Sequence, residues 1–124
     1  PLIMLIHGGA FFIGDKASES YKKWGTHYAS LGYVCVSINY RMGFRATSKA
    51  IERTAYQATQ DAHAAMRYLI SKKDIYRIDP DCLFVGGASA GSITALNLLV
   101  FCMKILVILK HQEMIFITNL KSKL

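Results

Sequence analysis

Residues 82–91 read Cys82-Leu83-Phe84-Val85-Gly86-Gly87-Ala88-Ser89-Ala90-Gly91. The first four of them form a short apolar run, which predicts a buried β-strand. The paired glycines end that strand, and the apolar segment from Ala90 to about Leu99 predicts a helix. Ser89 is therefore expected in a tight turn between a strand and a helix, with small residues on either side.

A tight turn at this place favours a nucleophilic serine. The pattern GxSxG arises easily by chance, but between a strand and a helix it is typical of a nucleophile elbow. The turn strains the serine backbone, at a cost of about 1–3 kcal/mol, and Gly87 and Gly91 let the strand and the helix approach each other. The helix that follows directs free N–H groups and its positive end toward the same hydroxyl.

A second loop of small residues follows the apolar strand predicted at Leu2–Ile6, and it reads His7-Gly8-Gly9-Ala10-Phe11. Small side chains leave backbone N–H groups accessible, and such groups bind the negative oxygen that develops in acyl transfer. In a parallel sheet both loops emerge at the carboxyl ends of their strands, where ligands bind. If the two strands are neighbours, Ser89 and the N–H groups of this loop converge on one carbonyl group.

The rest of the chain alternates helices and strands, which predicts a parallel sheet covered on both faces. The predicted elements are a helix at Ser20–Leu31 ended by Gly32, a strand at Tyr33–Ile38, a helix at about Lys49–Ser71, and a turn at Asp79-Pro80-Asp81.

Four blocks of residues occur in the order and spacing of a known family: His7–Phe11, Ser37–Arg41, Asp61–Leu69 and Ile78–Gly91. Together they resemble the α/β-hydrolase superfamily, and most closely its carboxylesterase and hormone-sensitive-lipase-like branch. The resemblance implies a partial α/β-hydrolase fold with three parallel strands in the order second-first-third, flanked by helices. It covers about residues 1–100, the part that carries both loops.

The resemblance also implies roles for individual residues. Ser89 is the expected nucleophile, and the backbone N–H groups of Gly9, Ala10 and Ala90 are the expected oxyanion hole. Ala10 stands where the family often has a third glycine. The implied function is a serine carboxylic-ester hydrolase that works through an acyl-enzyme on a small-molecule ester, without a cofactor. No set of His, Cys and carboxylate residues has metal-ligand spacing, so no metal is expected.

Two alternative functions remain open. One is a catalytically incompetent hydrolase fragment or interaction module without the acid and base of the triad, and the other is a serine peptidase on the same fold. In this family the acid and the base follow the serine in the chain. His111, with Glu113 two positions on, is the only histidine after Ser89, and we interpret it as a solvated residue rather than as the base.

Other polar residues receive structural interpretations. His7 is expected to organise its loop by hydrogen bonding, and Asp61 to form a salt bridge. His27 and His63 lie on predicted helices. We expect His27 to be a surface or half-buried residue and His63 to be exposed on the polar side of its helix, and neither to be catalytic.

Residues 101–124 form an apolar tail without resemblance to the family. The runs Ile105–Leu109 and Met114–Ile117 fit either strands or one helix. Lys104 interrupts the longer apolar stretch and Lys110 ends it, so no membrane span is expected. Three strands without neighbours leave two unpaired sheet edges, which predicts poor stability or self-association through those edges.

Composition limits the function classes. A chain of 124 residues, 52% of them hydrophobic, fits one folded domain. The net charge of +7 is scattered rather than gathered in a basic block, so no nucleic-acid partner is expected.

Three cysteines without a CxxC motif do not form a disulfide framework. The chain begins at Pro1 in an apolar run, so we expect the native N-terminus to be missing and leave the compartment unknown.

Overall fold

The computed structural model describes residues 1–43, 47–102, 106–110 and 114–118. In chain order its elements are β1 (Leu2–Ile6), α1 (Glu19–Ser30), β2 (Val34–Ile38), α2 (Ser48–Ser71), α3 (Lys73–Tyr76), β3 (Leu83–Gly87), α4 (Ala90–Cys102), β4 (Leu106–Lys110) and β5 (Met114–Thr118). The predicted strands and helices of residues 1–100 are all present, and the short helix α3 is an addition to them.

The strand β1 is the centre of the parallel sheet. It pairs in parallel with β2 on one side and with β3 on the other, so the predicted fold class and the strand order second-first-third are confirmed. The last residue of β1, Ile6, stands opposite Ile38 of β2 and Gly87 of β3. Consequently the loops that follow β1 and β3 leave the sheet side by side, at the carboxyl ends of the parallel strands.

The strand β3 runs two residues further than its apolar sequence predicts. Gly86 and Gly87 remain in the ladder, opposite Leu5 and Ile6 of β1. Backbone pairing needs no side chain. The strand therefore continues through both glycines, although the apolar pattern stops at Val85.

The two faces of the sheet have separate cores. On one face, α2 and α4 bury Met66, Leu69 and Leu98 against Met4 and Val85. On the other face, Tyr21 and Trp24 of α1 pack on Ile3 and Leu5. Burying one large aliphatic side chain contributes about 1.5–3 kcal/mol, and all five residues of β1 are buried.

The tail corrects one expectation about the sheet edges. β5 pairs antiparallel with β3, and β4 pairs with β5, which gives the order β2-β1-β3-β5-β4. The expected free edge at β3 is therefore wrong, because the backbone of β5 meets the N–H and C=O groups of residues 84–87. The two apolar runs of the tail form strands, not one helix. No helix in the described part of the chain is long and apolar enough to cross a membrane.

Candidate active site

The turn after β3 has the strained geometry that its sequence predicts. Ser89 has a φ of 50°, which is uncommon for a residue other than glycine. Its side chain is exposed, whereas the neighbouring Ala90 is buried. The turn therefore raises one hydroxyl group out of a buried backbone.

Glycine is required on both sides of this turn. A β-carbon on Gly87 would lie 2.5 Å from the backbone of Gly91, and one on Gly91 would collide with the carbonyl oxygen of Ile6. β3, α4 and the end of β1 therefore touch through their backbones, and this contact fixes where α4 begins.

The loop after β1 contacts the serine turn directly. A β-carbon on Gly8 would lie 2.7 Å from the carbonyl oxygen of Ala88 and 3.3 Å from the β-carbon of Ser89. The backbone then turns through three consecutive residues of positive φ, namely Gly9 at 113°, Ala10 at 51° and Phe11 at 66°. The structure thus brings together the two loops that the sequence places at the ends of separate strands.

Three backbone N–H groups in the serine turn and the loop after β1 have no hydrogen-bond partner among the described residues. Within the described residues, no hydrogen bond uses the N–H of Gly9, Ala10 or Ala90. Ala90 is the first residue of α4, where a helix has unpaired N–H groups and a positive end. These N–H groups can donate to an oxygen that carries negative charge.

His7 makes the hydrogen bond expected from the sequence. Its ring is 1% exposed, and its Nδ1 lies 2.8 Å from the carbonyl oxygen of Gly8, to which it donates. The ring stacks on Tyr40 with 4.4 Å between the ring centres. Its Nε2 is buried without a hydrogen-bond partner among the described residues, so His7 orders the loop and does not bond to Ser89.

Two buried tyrosines that are not among the predicted site residues hold the end of β1. The hydroxyl of Tyr40 donates to the carbonyl oxygen of His7 at 2.9 Å, and that of Tyr21 donates to the carbonyl oxygen of Ile6 at 3.0 Å. Burial raises the pKa of Tyr40 to about 12, so this hydroxyl keeps its proton at neutral pH. The one sequence signal for these roles is a hydroxyl on a core-facing aromatic residue.

The loop after the glycines is also tied to the end of β2. Asn39 accepts a hydrogen bond from the N–H of Lys16 at 2.7 Å and donates to the carboxylate of Asp15 at 3.2 Å. Asp15 also accepts from the N–H of Ala17, and this bond, followed by that of Asn39, lowers the pKa of its carboxyl group. A closed network therefore holds residues 15–17.

The predicted salt bridge of Asp61 is present. Arg41 and Asp61 approach to 2.8 Å, and the N–H of Arg41 donates to the same carboxylate. The pair fixes the chain that leaves β2 against α2. Asp61 therefore has a structural role.

His27 and His63 make no hydrogen bond to the Ser89 hydroxyl. His27 is exposed on α1. His63, expected to be exposed, is instead half-buried on α2, where burial and the charge of Arg67 lower its pKa. His111 and Glu113 lie outside the described residues. In residues 1–43 and 47–100, no hydrogen bond joins the Ser89 hydroxyl to a histidine ring or a carboxylate, and no cluster there could hold a metal ion.

Comparison with known proteins gives related esterases. "Gut esterase 1" of Caenorhabditis briggsae is 28% identical over 79% of this chain and 18% of its own length. "Para-nitrobenzyl esterase" of Bacillus subtilis is 33% identical over 80% of this chain and 21% of its own length. "Neuroligin-like protein glit-1" of Caenorhabditis elegans is 33% identical over 74% of this chain and 12% of its own length. No solved structure matches.

The chain spans about a fifth of the length of the esterases it matches. The BD-FAE family model matches residues 1–103, a range that contains β1, β2, β3 and both loops beside Ser89. That match covers most of the chain, and the similar esterases agree with it. The chain therefore belongs to the BD-FAE family, among the carboxylesterase-like α/β-hydrolases.

Proposed function

We propose that this chain carries the nucleophile and the oxyanion hole of a serine carboxylic-ester hydrolase. In this proposal the Oγ of Ser89 attacks the carbonyl carbon of an ester and loses its proton to a general base. The N–H groups of Gly9, Ala10 and Ala90 hold the negative oxygen of the tetrahedral intermediate. The intermediate expels the alcohol, and water then releases the acid from the acyl-enzyme.

The contact between Gly8 and Ser89 carries this proposal. It supports a single site because the turn with the exposed hydroxyl and the loop with the available N–H groups touch each other. An ester carbonyl attacked by Ser89 would have its oxygen beside those donors. Removing one such donor typically costs about 2.7–4 kcal/mol of transition-state stabilisation. Donors placed in this way would therefore raise the rate of ester cleavage strongly.

The proposed mechanism also needs a general base to take the proton of Ser89. In this family the acid and the base follow the nucleophile in the chain, and within the described residues no histidine ring or carboxylate is hydrogen-bonded to the Ser89 hydroxyl. Without a base the serine hydroxyl is a weak nucleophile. Sites that have lost triad residues still retain roughly 10³–10⁴-fold catalysis over water, so a weak but specific reaction is expected from this chain.

The test is covalent labelling together with ester turnover. The chain, its Ser89→Ala variant and the control Ser30→Ala are incubated with a serine-directed fluorophosphonate and with an activated short-chain ester, and the labelled peptide is mapped. Ser30 ends α1 on the exposed surface. Labelling at Ser89 in the chain and in Ser30→Ala, but not in Ser89→Ala, supports the proposal. Equal turnover in all three proteins, with no labelled Ser89, contradicts it.

A non-catalytic interaction module is the second candidate. One similar relative is named a neuroligin-like protein rather than an esterase, and no base bonded to Ser89 is present in the described residues. This candidate predicts that a fluorophosphonate never labels Ser89, even at long incubation. The labelling experiment therefore separates the two candidates.

A further inference from the structure

The strand β2 forms one edge of the sheet. Among the described residues it pairs with β1 alone, whereas the opposite side of the three parallel strands is covered because β5 pairs with β3. All five residues of β1 are buried, but four of the five residues of β2 are only partly buried. The outer side of β2 therefore has no neighbouring strand in the described part of the chain.

The outward backbone groups of β2 belong to Cys35 and Ser37. Successive residues of a parallel strand direct their N–H and C=O groups to opposite neighbours. The N–H of Val34 donates to the carbonyl oxygen of Pro1 at 2.8 Å, so the even-numbered residues of β2 face β1. Cys35 and Ser37 consequently direct one N–H and one C=O each away from the sheet. An added strand pairs with groups in this pattern.

The strand β2 has none of the features that usually protect a sheet edge. Its residues Val34–Ile38 include no proline and no charged side chain. Its register with β1 is continuous and contains no bulge. Edges of this kind pair readily with another polypeptide.

The side chain of Ser37 also lacks a partner. Its Oγ is buried and has no hydrogen bond within the described residues. A buried hydroxyl in this state costs about 1–3 kcal/mol. Serine and threonine form hydrogen bonds with hydroxyl groups directly opposite them on a neighbouring strand, so a strand that carries a hydroxyl opposite Ser37 would remove this cost.

A groove of about 640 Å³ follows the same edge. Beside β2, it is lined by Ala65 and Leu69 of α2 and by Tyr76 of α3. These residues give the groove an apolar wall that suits every second side chain of an extended segment. Among the described lining residues, Lys16 alone carries a charge.

The charge of this surface favours an acidic partner. Lys16 is exposed and forms no salt bridge within the described residues. The carboxylate of Asp15, next to it in the chain, already accepts hydrogen bonds from Ala17 and Asn39. The whole chain has a net charge of +7, so a second copy would bring like charge to the groove, whereas an acidic segment would be attracted to it.

We propose that the outer edge of β2 and its groove bind an extended acidic segment of a partner polypeptide, which adds one strand to the sheet. Its backbone pairs with Cys35 and Ser37, its apolar side chains lie on Leu69 and Tyr76, and a carboxylate reaches Lys16. The interaction does not depend on the ester-hydrolase function proposed above, because no residue of the groove belongs to that site.

The probe is the synthetic peptide acetyl-Glu-Thr-Val-Thr-Val-Thr-Val-amide, titrated into the full chain by calorimetry. It offers a valine face, a hydroxyl face and one carboxylate. We expect Lys16→Gln to weaken its binding roughly two- to fivefold, as the loss of an exposed ion pair predicts. Lys23→Gln, at an exposed lysine of α1 outside the groove, is the control and should bind like the unaltered chain. Equal binding by all three proteins overturns the role of Lys16.

Amide hydrogen exchange, followed by NMR, reads the added strand directly. With saturating peptide we expect exchange at Cys35 and Ser37 to slow on the order of 10-fold, as the gain of one hydrogen bond each predicts. Exchange at Val34 and Val36 should stay constant, because their N–H groups already face β1. Unchanged exchange at Cys35 and Ser37 overturns the proposal.

The variant Ser37→Pro removes one outward N–H and leaves the ladder with β1, because proline is tolerated on an edge strand where its nitrogen faces away from the sheet. We expect this variant to lose binding of the peptide, and unaltered binding overturns the proposal. If the variant does not fold, the same peptide with N-methylated backbone amides tests the same bonds. It keeps the side chains and the charge, so binding equal to that of the parent peptide overturns the proposal.

A second copy of the chain is the competing occupant, in line with the self-association that open edges predict. Light scattering after size-exclusion chromatography of the chain alone tests it. A mass that grows with concentration, together with slow exchange at Cys35 and Ser37 before any peptide is added, would overturn the acidic partner in favour of a second copy. Ser89→Ala should bind the peptide like the unaltered chain, so a failure of the ester-hydrolase function leaves this proposal standing.

Discussion

Gly91 lies so close to Ile6 that a β-carbon at position 91 would collide with the Ile6 carbonyl oxygen, the same oxygen that accepts the Tyr21 hydroxyl. The first turn of α4 and the end of β1 are thus in backbone contact, with α1 reaching the same point from the other face of the sheet. The packing of α4, β1 and α1 at this point therefore requires that residue 91 has no side chain.

Gly91→Ala is expected to lower the free energy of unfolding, although alanine is the better helix former. Overpacking typically costs about 1–3 kcal/mol, and here the clash is with backbone, which relaxes poorly. Gly25→Ala is the matched control, because Gly25 also lies within a helix but its β-carbon would meet only Cys35 Sγ, at 3.8 Å. That control gains roughly 0.5–1 kcal/mol. Urea unfolding measures both, and a stabilised Gly91→Ala would refute the contact.

Gly8→Ala is expected to separate the two loops without unfolding the chain. The new methyl group would press on the carbonyl oxygen of Ala88 at 2.7 Å and on Ser89 Cβ at 3.3 Å. We expect fluorophosphonate labelling of Ser89 to slow by more than about tenfold, in line with the loss of an aligned oxyanion donor.

Gly32→Ala is the control for that substitution. Gly32 also resists a side chain, because its φ is +86°, but a β-carbon there meets nothing within 4 Å. It should cost stability, about 1 kcal/mol, and leave the labelling rate intact. Equal labelling rates for the two glycine variants would show that the loop contact does not matter for reactivity.

The three parallel strands were predictable because each is a short apolar run bounded by turn residues, and because these runs alternate with segments of helical periodicity. The strained φ of Ser89 was also predictable, since a glycine-flanked serine between a strand and a helix has few other conformations. The contact between Gly8 and Ser89 depended on the pairing of β1 with β3, which the sequence predicts only through its resemblance to a family.

Other features could not be predicted from local sequence. Tyr21 fits a core position by its helical spacing, and its hydroxyl gains a hydrogen-bond partner only because α1 packs against the end of β1. The tail was ambiguous because short apolar runs suit strands and helices equally. β5 of the tail pairs with β3 because the outer side of β3 would otherwise present unpaired N–H and C=O groups.

Asp15 is expected to titrate below the ordinary carboxyl value of 3.8, because hydrogen bonds from Ala17 and Asn39 stabilise its charged form. Because the pKa of Asp15 is lower in the folded state, its hydrogen bonds stabilise residues 15–17 fully above pH 3.8. This stabilisation is lost as the pH falls through the pKa that Asp15 has in the folded state. A carbon NMR titration measures the midpoint. Asn39→Ala should raise this midpoint, and an unchanged midpoint would show that Asn39 does not hold the carboxylate.

The pairing of β5 with β3 yields the last prediction. Proline has no N–H and disrupts a ladder, so Phe116→Pro, at the residue opposite Gly86, should detach β5 and leave β3 as an open edge. Open edges pair with other chains, so we expect association that grows with concentration, together with a lower urea midpoint. Phe116→Val keeps the N–H and should remain like the unaltered chain. Light scattering after size-exclusion chromatography measures the mass, and an equal mass and midpoint for the proline variant would mean that β5 does not protect β3.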